Sequence, residues 1–258
     1  MLSTAFFGGV VILASVLTAI AGLVVARRRI PLPVRERHTT AIGTIYAAVY
    51  VLFGLAAGFS LFSVWQEFQT AYKTTEAEAS SVKTIYRLGG GFPEPVRGQV
   101  QQLAESYARA AVEEWPLLEQ AQSSPHADTL LDELRRGVQD IEPATDAQGA
   151  LRTQALEELN ELEAARVLRL VFAREGLPYI LWVVLVVGGI LTVAFPYLFG
   201  IDAAWLHTAT VVGLTVLVAL ILCVIGILDY PFGISVGVQP EAFEVVLRAI
   251  GGGNGGGP

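Results

Sequence analysis

Side chains able to do chemistry are few in this sequence, and their spacing keeps them apart. The three histidines, His38, His126 and His207, fall in three separate loops or helix ends, so no shared proton relay is expected. The nearest approach to a metal set is His126 with Asp128 and Asp132. The two aspartates form an i, i+4 pair on one helical face, a spacing that is more often just a solvated helix surface. Glu113-Glu114 and Glu157-Glu158 are adjacent in helical sequence, so the members of each pair point about 100° apart and cannot close on one substrate. Cys223 is the single cysteine and lies in an apolar run, which rules out a disulfide or a cysteine metal site within one chain. Gly89-Gly90-Gly91 follows a helical pattern rather than a strand, so it is neither a phosphate loop nor a dinucleotide fingerprint. The expectation is a protein with no catalytic, cofactor-binding or metal-binding residues, and no enzyme.

What surrounds these residues is apolar. Of 258 residues, 53% are hydrophobic and only 16% charged, with a mean hydropathy of +0.54, so lipid must be part of the solvent. A net charge of −7 argues against nucleic acid as a partner. Four apolar runs are long enough to cross roughly 30 Å of hydrocarbon as helices. They are expected over about 5–26, 39–65, 177–199 and 203–228, in two pairs. The first run competes with a secretory signal peptide, but its basic residues follow the apolar stretch instead of preceding it, which favours a span. Tyr179, Trp182, Tyr197, Phe199, Trp205 and Tyr230 cluster near the ends of the last two, as interfacial anchors do.

The link between the first two spans carries five arginines, Arg27, Arg28, Arg29, Arg35 and Arg37. So basic a loop should stay in the cytoplasm of a cell-membrane protein, which puts the middle of the chain outside. That middle, residues 66–176, turns charged and polar with helical periodicity and shows no strand-like alternation. The predicted fold is therefore all-α, with transmembrane pairs over 1–65 and 177–230 flanking a soluble helical bundle, and a C-terminal segment over 231–258 ending in a Gly-rich tail. Within the bundle, Phe68, Tyr72, Thr75, Ala79, Val82 and Tyr86 mark one seam; Val100, Leu103, Tyr107 and Ala111 a second; Leu130, Leu134 and Val138 a third; Leu151, Leu156, Leu159 and Leu162 a fourth. Ser124-Pro125 and Thr145 through Gln148 read as helix starts. The fourth bundle helix is expected to end at Gly176 before Pro178, and the first and last bundle helices to grow out of spans two and three as helices.

The spans contain no buried ionisable residues, which argues against ion-coupled transport and leaves passive conduction open. Four neutral spans cannot enclose water alone, so a pore would need several copies of the chain. Span two would line it, since it carries Tyr46, Tyr50, Phe53, Phe59 and Phe62 beside Gly54 and Gly58. The competing readings are that these aromatics face lipid or a neighbouring subunit. The glycine pair, four apart, favours tight packing within one subunit over a contact between subunits. A non-conducting sensing or scaffold role, with the bundle binding a ligand or partner, is the alternative from another class.

Several local motifs resemble an uncharacterised membrane family with a bestrophin-like domain, and together they run through most of the chain. They are Gly58-Phe59 with Trp65-Gln66-Glu67-Phe68, Glu76-Ala77-Glu78-Ala79, Pro93-Glu94-Pro95-Val96-Arg97, Glu113-Glu114-Trp115-Pro116, Ala165-Arg166-Val167-Leu168-Arg169-Leu170, Leu177 through Trp182 and Leu228 through Gly233. The resemblance implies a distant kinship to bestrophins, pentameric anion channels whose second span lines an aromatic-gated pore. Small anions, lipid and further copies of the chain are the partners it implies. Ser60, Leu61 and Phe62 stand where bestrophins place an arginine and asparagines, and bestrophins keep their helical middle domain in the cytosol.

Overall fold

The computed structural model describes residues 2–233 and 237–251, without the side chains of residues 2–5 and 41. Every regular element among them is a helix, and the chain divides into two compact units.

The first unit, residues 1–66 and 176–229, holds four helices long and apolar enough to cross a membrane. They are α1 (Leu2–Arg29), the first part of α2 (Leu32–Gly89), α7 (Tyr179–Ala194), which a 3-10 turn extends over Phe195–Leu198, and α8 (Ala204–Leu228). Helix α1 lies mainly along α8, with Ala19 and Leu23 packed on Val211. Helix α2 seats Phe53, Ala57 and Val64 against Leu185 of α7 and Val218 and Ile225 of α8. Glycine makes that seat: a Cβ on Gly188 would lie 2.9 Å from the Phe53 ring. The arginine-rich loop expected over 27–38 is almost entirely helical, with only Ile30 and Pro31 between the two helices. Arg27, Arg28 and Arg29 form the last turn of α1, where cations meet the negative end of the helix dipole.

The second unit, residues 67–175 and 230–258, packs the rest of α2 with α3 (Val96–Glu113), the short α4 (Trp115–Leu118), α5 (Pro125–Gln139), α6 (Asp146–Arg174) and α9 (Glu241–Gly251). The starts of α5 and α6 form as their sequences dictate: Ser124 Oγ accepts from the Ala127 N–H and Thr145 Oγ1 from the Gln148 N–H. The core gathers Val82, Ile85, Tyr107, Leu134, Val138, Leu159 and Leu162.

Two expectations need correction. The expected seam of α2 in this unit is buried at Thr75, Ala79 and Val82, with Phe68 and Tyr86 packed on the core, but Tyr72 is left 46% exposed. Ala71 and the charged Glu78 are buried beside that seam instead. Second, α2 is one unbroken helix of 58 residues, but α6 does not run into span three. It ends at Arg174 and α7 begins at Tyr179, because Pro178 disfavours helix at the residue before it and the Leu177 N–H donates to Asp229 instead. The C-terminal segment adds to the core of this unit, with Phe243, Val246 and Ile250 of α9 buried there. The remainder of the expected glycine tail, residues 252–258, lies outside the described residues.

Candidate functional site

The aromatic and glycine set of span two separates into two faces. Phe53 is buried on Gly188, and Tyr46 turns inward, its ring 5.5 Å edge-on from Phe199 and 6.4 Å from Phe195. The Tyr50 ring lies 6.1 Å from that of Tyr46, tilted at 41° to it, while remaining half exposed. The opposite face is open: Phe59 is 67% and Phe62 58% exposed. A Cβ on Gly54 or Gly58 would meet nothing within 4 Å. This corrects the expectation that the glycine pair packs within the subunit. Gly54, Gly58 and Phe62 follow one another at intervals of four, so they form one stripe along the helix.

Charged groups in this unit sit at span ends and are engaged there. Asp229, 2% exposed, accepts from the Leu177 N–H at 2.5 Å and from Trp182 Nε1 at 3.0 Å. It is a brace between the end of α8 and the start of α7. Near the α1–α2 turn, Arg27 donates to the Ala204 carbonyl at 3.0 Å, and Arg35, 6% exposed, reaches the Phe199 carbonyl at 3.5 Å. Gly200 lies so close to the Glu36 backbone that a Cβ would clash with it. The Asp202 carboxyl beside Glu36 pushes the Glu36 carboxyl above its ordinary range. Arg28, Arg29 and Arg37 are exposed.

The second unit holds a cluster that the sequence did not disclose. Arg169 of α6 donates through Nε to Glu78 at 2.6 Å and through Nη2 to Glu78 at 3.0 Å and Glu114 at 2.9 Å. Arg166, one turn earlier, forks onto Glu114 with two bonds of 2.9 Å and reaches Asp128 at 2.7 Å. The Tyr107 hydroxyl donates to Glu78 at 2.6 Å, and the Ser124 N–H to Glu114 at 2.6 Å. Glu78, Glu114 and Arg169 are wholly buried. Trp115 and Phe243 present their rings to the Arg169 guanidinium at 5.3 and 5.8 Å, and Trp115 Nε1 donates to the Val238 carbonyl at 2.9 Å, tying in the C-terminal segment.

Burial alone would push Glu114 up, but the Arg166 hydrogen bonds, the charge of Arg169 and the Ser124 N–H outweigh it and hold the carboxyl below its ordinary value. Burial works against both arginines as well, and their carboxylate partners more than offset it. Burial and the Glu78 charge raise the Tyr107 hydroxyl well above the usual tyrosine value. Glu114 is therefore held ionised between two guanidiniums, and Glu78 is paired with Arg169, an arrangement that fixes helices in place. Glu114 points in and Glu113 out, as their adjacency requires. The missed signal was charge on a buried stripe: Glu78 shares the face of Ala71 and Val82, and Arg166 and Arg169 continue that of Leu159 and Leu162. Asp128, the centre of the would-be metal set, is engaged by Arg166, and no group of three or more potential metal ligands occurs among the described residues.

The residues that form this cluster come from motifs scattered along the chain, and one family profile spans them all. The Bestrophin-like domain matches residues 13–243. No curated protein matches the sequence. Among solved structures, a variant of a bacterial bestrophin homologue from Klebsiella pneumoniae is similar with a TM-score of 0.75 at 12% identity, over 95% of this chain and 99% of that one. A second variant gives 0.73 at 14% identity over 94% and 98%, and the crystal structure of the homologue gives 0.72 at 13% over 96% and 98%. At such low identity the structural likeness speaks for the fold. The profile match across most of the length decides the family, and the chain belongs to the bestrophin-like membrane proteins.

Proposed function

We propose that several copies of this chain assemble around an axis in the cell membrane and form a passive, non-catalytic anion channel, with the open face of α2 lining the pore. The observation that carries this reading is the uncovered stripe of Gly54, Gly58 and Phe62 beside Phe59, on a helix with no Asp, Glu, Lys or Arg from Thr39 to Gln66. Lipid-facing aliphatic side chains would also be exposed, but lipid gives no reason for two glycines at i, i+4, which cost helix stability and permit close approach. A neighbouring copy or a narrow water path supplies that reason. Phe59 and Phe62 would form the apolar constriction, while Tyr46 and Phe53, turned into their own subunit, take no part in the lining. The absence of carboxylates from the spanning face favours anions over cations.

The test is reconstitution in planar bilayers under a potassium chloride gradient. The expected reversal potential lies towards that of chloride, and Phe59→Ala is expected to raise the conductance. A dimer in solution with no current under any ionic condition would sink the reading in favour of a sensing or scaffold protein. We further propose that the arginine-rich turn faces the cytoplasm and the soluble bundle lies outside, on the strength of Arg27, Arg28, Arg29, Arg35 and Arg37. Alkaline phosphatase fused at Ser123 should then be active, and an inactive fusion reverses the orientation.

A further inference from the structure

At the α1–α2 turn a groove of about 330 Å³ opens on the first unit. Its walls are apolar, formed by Val34, Ile42, Ile45 and Leu198, and its two polar residues are Arg35 and His38. Val34, His38, Ile42 and Ile45 follow at helical intervals along one face of α2, so the groove runs lengthwise from the arginine turn towards the apolar span. Arg35 is the anomaly: it is 6% exposed, its one recorded hydrogen bond is the long contact to the Phe199 carbonyl at 3.5 Å, and its Nε has no partner in the chain. A buried guanidinium with an unmet donor is costly unless an anion satisfies it. No carboxylate lines the groove; Glu36, the nearest acid in sequence, feels the Arg35 charge but lies against Gly200 and is hydrogen-bonded with Asp202.

We propose that this groove binds an anionic phospholipid, with a phosphate oxygen on Arg35 and an acyl chain lying along Ile42 and Ile45. Place and chemistry agree. The groove begins where one apolar span ends, at Arg29, and extends to where the next begins, at Ile42, which is the depth at which headgroup and acyl chain meet. The exposed Arg28, Arg29 and Arg37 around it concentrate anionic lipid near the site without holding any one molecule. The apolar walls select lipid over a free anion, which would leave them uncovered. The site requires no conduction and stands or falls separately from the channel reading.

Intact mass spectrometry of the full chain in micelles doped with phosphatidylglycerol or phosphatidylcholine counts the lipids that stay bound. Phosphatidylglycerol should be retained at least about fivefold over phosphatidylcholine, whose choline cation offsets the phosphate charge that Arg35 attracts, and Arg35→Gln should abolish the excess. Ile45→Trp fills the groove without altering charge, and His38→Glu sets a carboxylate in it. Each should also abolish the excess, and these two decide the matter if Arg35→Gln fails to fold. Equal retention of the two lipids by the wild type, or undiminished phosphatidylglycerol retention in the groove variants, overturns the proposal. So does complete displacement of the lipid by excess inorganic phosphate, which would mark a site for a free anion.

Discussion

The two units of this chain treat charge and apolar surface in opposite ways. In the second unit, Glu78, Glu114, Arg166 and Arg169 are buried together while the helices cover their apolar faces with one another. In the spanning unit the side of α2 that bears Gly54, Gly58, Phe59 and Phe62 is left uncovered, and the charged groups stay at the helix ends. Water explains the first: a helix in water must bury its apolar stripe, and charges placed on that stripe survive only when paired. Lipid explains the second, since an apolar face in a bilayer has no comparable drive to find a partner. What a bilayer cannot account for, the glycine stripe above all, is where function should be sought.

The largest effect expected from this contrast lies in the second unit. Arg169→Met leaves the buried Glu78 with no partner but the Tyr107 hydroxyl, and should cost about 3–5 kcal/mol of stability. Adding Glu78→Met should restore much of that loss, because the uncompensated charge goes with it. Denaturation of the detergent-solubilised chain followed by circular dichroism measures both. A double variant as unstable as the single one would mean that the cluster specifies the fold by more than charge compensation.

A smaller effect separates the two faces of α2. Phe53→Ala empties the seat on Gly188 and should cost ~2 kcal/mol, less than a soluble core cavity because lipid replaces water in the reference state. Phe59→Ala, on the open face, should change stability by less than about 0.5 kcal/mol while altering conductance. Equal thermal destabilisation by the two would show that the open face is packed in the assembled protein and does not line water.

How far the sequence could be read follows the same division. The spans, the capped starts at Ser124 and Thr145 and the apolar seams of α3, α5 and α6 were legible because local periodicity and capping chemistry determine them. The ion-pair cluster was not, since its four charges sit 36, 52 and 3 residues apart along the chain and only packing brings them together. Glu114 was set aside on the sound ground that it cannot converge with Glu113; its partners were arginines on another helix. The glycine pair was legible as a site of close approach but not as to what approaches it, because nothing local distinguishes a neighbour in the same chain from one in another. Pro178 was visible, yet the Asp229 brace that completes the break before α7 required residues fifty positions apart to meet.

The smallest effect is one of sign with pH. Glu114 is held below its ordinary value by Arg166, Arg169 and the Ser124 N–H despite its burial, so the stability it contributes is present above the usual carboxylate range and is lost as pH falls through the lowered folded-state value. Glu36 runs the other way. The hydrogen bond with Asp202 and the Asp202 charge raise it, so the stability contributed by the protonated Glu36 carboxyl is present at low pH and is lost as pH rises through the raised value. Asp202→Asn should therefore raise the melting temperature at neutral pH and leave it unchanged near pH 4, whereas Glu114→Gln should lower it most at neutral pH, with the deficit shrinking on acidification. Melting curves of the two variants across that range test the contrast directly: matching pH trends would mean that the two units do not handle their carboxylates differently after all.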